Sequence, residues 1–165
     1  MSVDEASLRE ALGTTFDVNG GALDIEYGLE HHDLLVFSAS VRDVGSPVSA
    51  TFDGSIELDL ERNIARVLLL ADRDMSLGPR ELAAAIGILE AVDGRPFLDQ
   101  DAVDLGGDPV LMTPPRFVEI DGVRTLEYWN ASPQAAPWRS QLKIHSDGSF
   151  TRQQAPYTAV KAGTA

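Results

Sequence analysis

Apolar and polar positions alternate over much of the chain. Leu23, Ile25, Tyr27 and Leu29 alternate with Asp24, Glu26, Gly28 and Glu30, which predicts a strand with one wet face. Residues 34–41 are apolar or small on both faces and predict a strand inside a sheet, joined to the first by a turn over 30–33. Ile56, Leu58 and Leu60 alternate with Glu57, Asp59 and Glu61, and residues 64–70 return after Arg62-Asn63, so a second hairpin is expected there. Helical spacing replaces alternation at Leu82, Ala85, Ile86 and Leu89, predicting a helix over 79–92 that starts at Pro79 and stops at Asp93-Gly94. A shorter helix is expected over 7–12, with Leu8 and Leu12 on one face and Gly13 at its end.

Residues 95–115 lack periodicity and contain Pro96, Gly106, Gly107, Pro109, Pro114 and Pro115, which predicts a long loop. Two hairpins follow. Asp121-Gly122 suits a two-residue type I′ turn, and that register sets Ile120 opposite Val123, Glu119 opposite Arg124, Val118 opposite Thr125 and Arg116 opposite Glu127. Both ionic pairs have opposite sign, which supports the register. At Asp147-Gly148 the same rule sets Lys143 opposite Arg152, a like-charge pair. Either the register differs there, or an acid from elsewhere lies between them. From Ala155 onward the residues are small and unpatterned, as in a flexible tail.

The expected class is α+β: a curled, mostly antiparallel meander sheet of about eight strands. It carries one central helix (79–92) and a short N-terminal helix, with a partial β-barrel as the alternative. A single domain over 1–154 with a tail over 155–165 fits the length of 165 residues. No internal repeat is visible.

Charge adds a clue about partners. The chain has 26 acids against 13 bases, a net −13. Residues 1–110 hold 22 acids and 7 bases, whereas residues 111–165 hold 4 and 6. A surface this acidic disfavours nucleic acid and favours a basic protein partner. Solubility or salt adaptation explains the same numbers without a partner, and only Lys143 and Lys161 among the bases are lysines. No segment is apolar enough for a membrane span and no secretory signal opens the chain, so a cytoplasmic protein is expected. The absence of cysteine excludes disulfides, thiolate metal sites and a cysteine nucleophile.

Candidate chemistry is sparse. No phosphate loop, nucleophile elbow, zinc-protease helix or dinucleotide fingerprint occurs, so no cofactor is implied and no reaction is assigned. His31-His32 between Glu30 and Asp33 could bind a transition metal or move protons, but neighbours on an extended strand diverge, which favours a solvated turn. His145 stands alone on a polar face. Asp99, Asp101, Asp104 and Asp108 offer oxygen ligands to calcium or magnesium but fail the twelve-residue calcium-loop pattern. Asp72, Arg73 and Asp74 read as capping or solvated residues. Tyr128, Trp129 and Trp138, with Arg139, form the best candidate binding surface for a ligand or partner. Tyr128 and Trp129 must face opposite sides of their strand.

In size, acidity and the order helix, strands, helix, strands, the chain is similar to the small acidic chaperones of type III secretion. The final helix of that family is missing here, and two hairpins stand in its place. The expectation is an acidic binding module (chaperone, adaptor or immunity-type inhibitor) for a basic protein partner. The alternative is a curled-sheet pocket protein that binds an apolar small molecule, such as a cyclase or isomerase. A structural subunit, as in a homodimer, is the third reading.

Overall fold

The computed structural model describes residues 3–42, 44–90, 95–96, 101–105, 108–112, 114–132 and 135–156. The chain divides into two compact units, Met1–Val92 and Asp93–Ala165. The class is α+β, with antiparallel sheets and, among the described residues, three α-helices. The strands form three separate sheets rather than one curled meander, and no closed barrel forms among the described residues.

The first unit opens with α1 (Glu5–Phe16), longer than the spacing of Leu8 and Leu12 alone predicts. Asp4 caps its start by accepting from Ser7 N at 2.8 Å. The helix runs through Gly13, and Asp17 takes the left-handed C-terminal position (φ 51°). Strands β1 (Leu23–Glu30), β2 (Leu35–Val41), β3 (Val44–Phe52) and the two-residue β4 (Ile56–Glu57) then pair in sequence order. The β1–β2 turn lies where expected, closed by His31 N to Leu34 O at 3.1 Å and Leu34 N to His31 O at 3.2 Å. Alternation sends Leu35, Phe37 and Ala39 of β2, with Leu23, Ala50 and Phe52, into one core beside Leu8 and Leu12.

Val36 and Thr51 pair with each other and face the other way. Thr51 meets α2 (Leu60–Arg73), so α2 covers the face opposite α1. The hairpin expected over 56–70 is therefore corrected to a stub of strand followed by a helix. Ile64, Val67 and Leu68 sit at helical spacing and are buried, and Asp59 caps the start by accepting from Arg62 N at 3.0 Å. Asn63, expected in a turn, is buried in α2: Thr51 Oγ1 lies 2.5 Å from its Oδ1, and its Nδ2 donates to Glu57 O at 2.9 Å.

Helix α3 (Pro79–Glu90) confirms the helix expected from 79, beginning at Pro79. Its expected stop at 93–94 lies outside the described residues. Glu81 accepts from Gly78 N at 3.0 Å, satisfying a donor at the helix entry. The helix packs on β1 and β2. Gly28 permits this: a Cβ there would lie 3.2 Å from Ala84 O and Ala85 Cα. His31 Nε2 lies 2.8 Å from Asp74 Oδ2, which ties the β1–β2 turn to the α2–α3 connection.

In the second unit, β5 (Arg95–Pro96), β6 (Asp101–Leu105) and β7 (Asp108–Met112) occupy the stretch expected to be a loop. The β6–β7 pair makes a two-stranded sheet of its own. Strands β8 (Arg116–Ile120), β9 (Val123–Ser132), β10 (Ala135–Ile144) and β11 (Phe150–Pro156) form the main sheet, with β5 on β9. The β8–β9 register is the one the charges indicated, from Arg116↔Glu127 to Ile120↔Val123. Asp121 (φ 53°) and Gly122 (φ 76°) make the type I′ turn.

At the last hairpin the two-residue register is corrected by one position: Lys143 pairs with Thr151, and Leu142 with Arg152. Gly148 (φ 88°) takes the left-handed place in a longer turn closed by Gly148 N to His145 O at 3.1 Å. The shift removes the like-charge pair, and Asp121 Oδ2 also comes within 3.9 Å of Lys143 Nζ. Ala155 and Pro156, expected in a tail, belong to β11 and pair with Arg139 and Trp138. Residues 157–165 lie outside the described set.

Candidate functional site

Cross-strand partners share a sheet face, so the β9–β10 register sorts the aromatic candidates. Tyr128 pairs with Ser140, and Trp138 with Asn130, on the face that also carries Leu126 and Leu142. Tyr128 is fully buried there and Trp138 half-buried. Trp129 pairs with Arg139 on the other face, where Trp129 is half-buried and Arg139 exposed. The four candidates thus divide two and two. Tyr128 is part of the core, while Trp129 and Arg139 are cross-strand partners on the other face.

Beside Trp129 and Arg139 runs a polar row that sequence reasoning found only in part. Glu127 is nearly buried. Its Oε1 accepts from Arg116 Nη2 at 2.9 Å, and its Oε2 accepts from Gln141 Nε2 at 2.8 Å. Burial, the largest influence, pushes the Glu127 pKa up, but the bonds from Gln141 and Arg116 and the nearby positive charges outweigh it. The net shift is downward and the group is a carboxylate. An open cleft of about 360 Å³ lies alongside, lined by Arg139, Gln141, Gln153, Gln154 and Ala155. Alternation signals such a row only after the register of the last hairpin is known, and a one-residue difference in turn length moves that register.

The first unit carries most of the charge: residues 1–92 hold 17 acids and 6 bases. Four of those bases are matched locally, in Arg9–Glu5, Arg42–Asp24, Arg62–Glu57 and Arg66–Asp53. Glu10, Asp17, Glu61 and Asp72 are exposed and make no ion pair among the described residues. Tyr27 lies among the same charges. Its hydroxyl is buried without a hydrogen-bond partner among the described residues, and burial, then Glu5 and Glu30, raise its pKa to about 12.

The proposed oxygen-ligand string does not form the expected loop. Asp101 and Asp104 lie on β6 and Asp108 on β7, with Asp104 opposite Pro109 and Asp108 opposite Leu105. Asp99 lies outside the described residues. His145 Nε2 lies 2.8 Å from Thr151 Oγ1 at the last turn. Asp74, expected to cap the helix from 79 or to be solvated, instead ends α2, its backbone N–H donating to Leu70 O at 2.8 Å, and its carboxylate meets His31, a contact with no local signal in sequence.

No known protein family matches the chain, and neither the curated proteins nor the solved structures contain a match. The residues and their arrangement are therefore the only guide to function.

Proposed function

We propose that the chain is an acidic binding module of the cytoplasm (a chaperone, adaptor or immunity-type inhibitor) that covers a basic protein partner. The observation behind this reading is the imbalance within the first unit, where 17 acids face 6 bases and most of the bases are already paired with neighbouring acids. Carboxylates left over on a surface project a negative field that speeds encounter with a positive partner and rejects negative ones. The test is capture on the immobilised full chain, followed by affinity measurement on each repurified protein at low and high salt. Basic partners whose affinity falls roughly tenfold or more with salt support the reading. Neutral or acidic partners, or affinity indifferent to salt, overturn it. Glu61→Gln with Asp72→Asn should weaken such binding, and Glu119→Gln in the nearly neutral second unit should not.

A second reading rests on the cleft beside Arg139. Its guanidinium and the amides of Gln141 and Gln153, which share the Arg139 face, suit a small polar or anionic molecule better than the apolar substrate expected from sequence. Screening small carboxylates by ligand-observed NMR against the parent and Arg139→Ala tests it. Binding that survives Arg139→Ala removes this reading.

A further inference from the structure

We propose that the β1–β2 turn is a binding site for a divalent transition-metal ion of the Zn²⁺ type, with His31 Nδ1, His32 and Asp33 as ligands and Asp74 as the carboxylate that orients His31. The reading is independent of the charge-based function above.

The objection from sequence was that adjacent histidines diverge. That holds for a strand, but His31 to Leu34 is a closed turn, and here the His31 and His32 rings stack with centroids 4.1 Å apart. One ligand atom from each of His31, His32 and Asp33 falls within 4.8 Å of the others. Ligand atoms around tetrahedral zinc are roughly 3.3 Å apart, given bonds of about 2.0 Å. The remaining closure falls to His32 and Asp33, whose side chains are 81% and 54% exposed and whose Nε2 and Oδ2 already lie 3.4 Å apart; the His32 ring leaves its stack on His31 to turn a nitrogen to the ion. Two imidazoles and a carboxylate, completed by water, suit a borderline transition ion better than calcium or magnesium, which prefer oxygen throughout.

His31 is the prepared member of the set. Its side chain is only 10% exposed, and Nε2 points at Asp74 Oδ2, 2.8 Å away. Nδ1 accepts from Asp33 N at 3.0 Å, so it carries the lone pair and Nε2 carries the proton. A carboxylate holding the far N–H while the near nitrogen stays free of a proton is the arrangement that orients a metal-bound histidine and makes it more basic. Asp74 is itself fixed, because Ser76 donates to its Oδ1 from N at 3.0 Å and from Oγ at 2.6 Å. The ion would exchange the Asp33 N–H bond to Nδ1 for a coordinate bond, so the Asp33 amide is the group that should respond most.

The experiment titrates ZnCl₂ into the full-length chain near neutral pH in a non-coordinating buffer, followed by calorimetry and by amide NMR. One saturable site is expected, with the largest amide shifts at residues 31–34 and 74. His32→Asn, an exposed substitution, should weaken binding roughly tenfold or more. Asp74→Asn should weaken it by about tenfold through His31 while leaving the metal-free fold intact by circular dichroism. Three outcomes overturn the proposal: no saturable heat below about 1 mM zinc, parental affinity in His32→Asn, or shifts centred on residues 101–108.

Discussion

Arg116 on β8 and Glu127 on β9 stand directly opposite each other, and the guanidinium Nη2 donates to the carboxylate Oε1 at 2.9 Å. The two sides of this pair are unequal. The Glu127 side chain is 7% exposed and that of Arg116 56%, so a nearly buried carboxylate is held by a cation that stays in water. Arg116→Ala should therefore cost less than about 1 kcal/mol, in the range of exposed ion pairs. Glu127→Ala, which also strips Gln141 of its acceptor, should cost about 1–3 kcal/mol. Urea unfolding of both variants checks the order, and equal losses would contradict it.

The same carboxylate gives a pH dependence. Its pKa is depressed in the folded chain, so its contribution is complete above the ordinary glutamate value of 4.5 and is lost as pH falls through the lower folded value. Stability of the parent should decline over this acidic window more steeply than that of Glu127→Gln. Superimposable pH profiles would count against the assignment.

Tyr27 predicts the reverse dependence. With its pKa raised to about 12, its contribution is complete below 10 and is lost as pH climbs from 10 toward 12. Ultraviolet titration should find a late-ionising tyrosine component that Tyr27→Phe removes. Because the buried hydroxyl lacks a partner, Tyr27→Phe should be neutral or up to about 1 kcal/mol more stable. A clear loss would mean that the hydroxyl is satisfied in solution.

Asn63 and Thr51 make a buried polar contact between α2 and the sheet. Asn63→Ala should cost about 1–3 kcal/mol, since it removes the acceptor of the Thr51 hydroxyl proton and frees Glu57 O, while Arg66 still donates to Thr51 Oγ1. Adding Thr51→Val should recover part of that loss, measured as a positive coupling in a double-mutant cycle. Strict additivity would show that the two side chains do not act together.

Gly28→Ala tests the packing of α3 on β1. Alanine normally gains from a less free unfolded chain. Here its methyl would sit 3.1 Å from Ile88 Cγ2 and 3.2 Å from helix backbone, so a net loss of about 1–3 kcal/mol is expected in thermal unfolding.

The elements legible in the sequence were those whose signal is local. The β8–β9 register needed only a two-residue turn and two pairs of opposite charge, all within twelve residues. Alternation placed β1 and β2, and it placed Tyr128 and Trp129 on opposite faces. Residues 56–70 read as a hairpin but fold as a helix from Leu60 because Ile56, Leu58 and Leu60 alternate just before Ile64, Val67 and Leu68 take up helical spacing. A short apolar run supports either period until something covers it. At 147–148 a one-residue difference in turn length moved the register of β10 against β11, and with it the row of side chains around the cleft.

Sequence alone thus determined the α+β class, the helix from Pro79, the charge-selected hairpin and an acidic first half, because each follows from residues near one another in the chain. Tertiary structure decided that 60–73 is a helix, that Trp129 stands opposite Arg139 while Tyr128 enters the core, and that His31 finds Asp74 forty-three residues away. These depend on which surface is buried against which, and short-range spacing carries no record of a partner that only folding brings near.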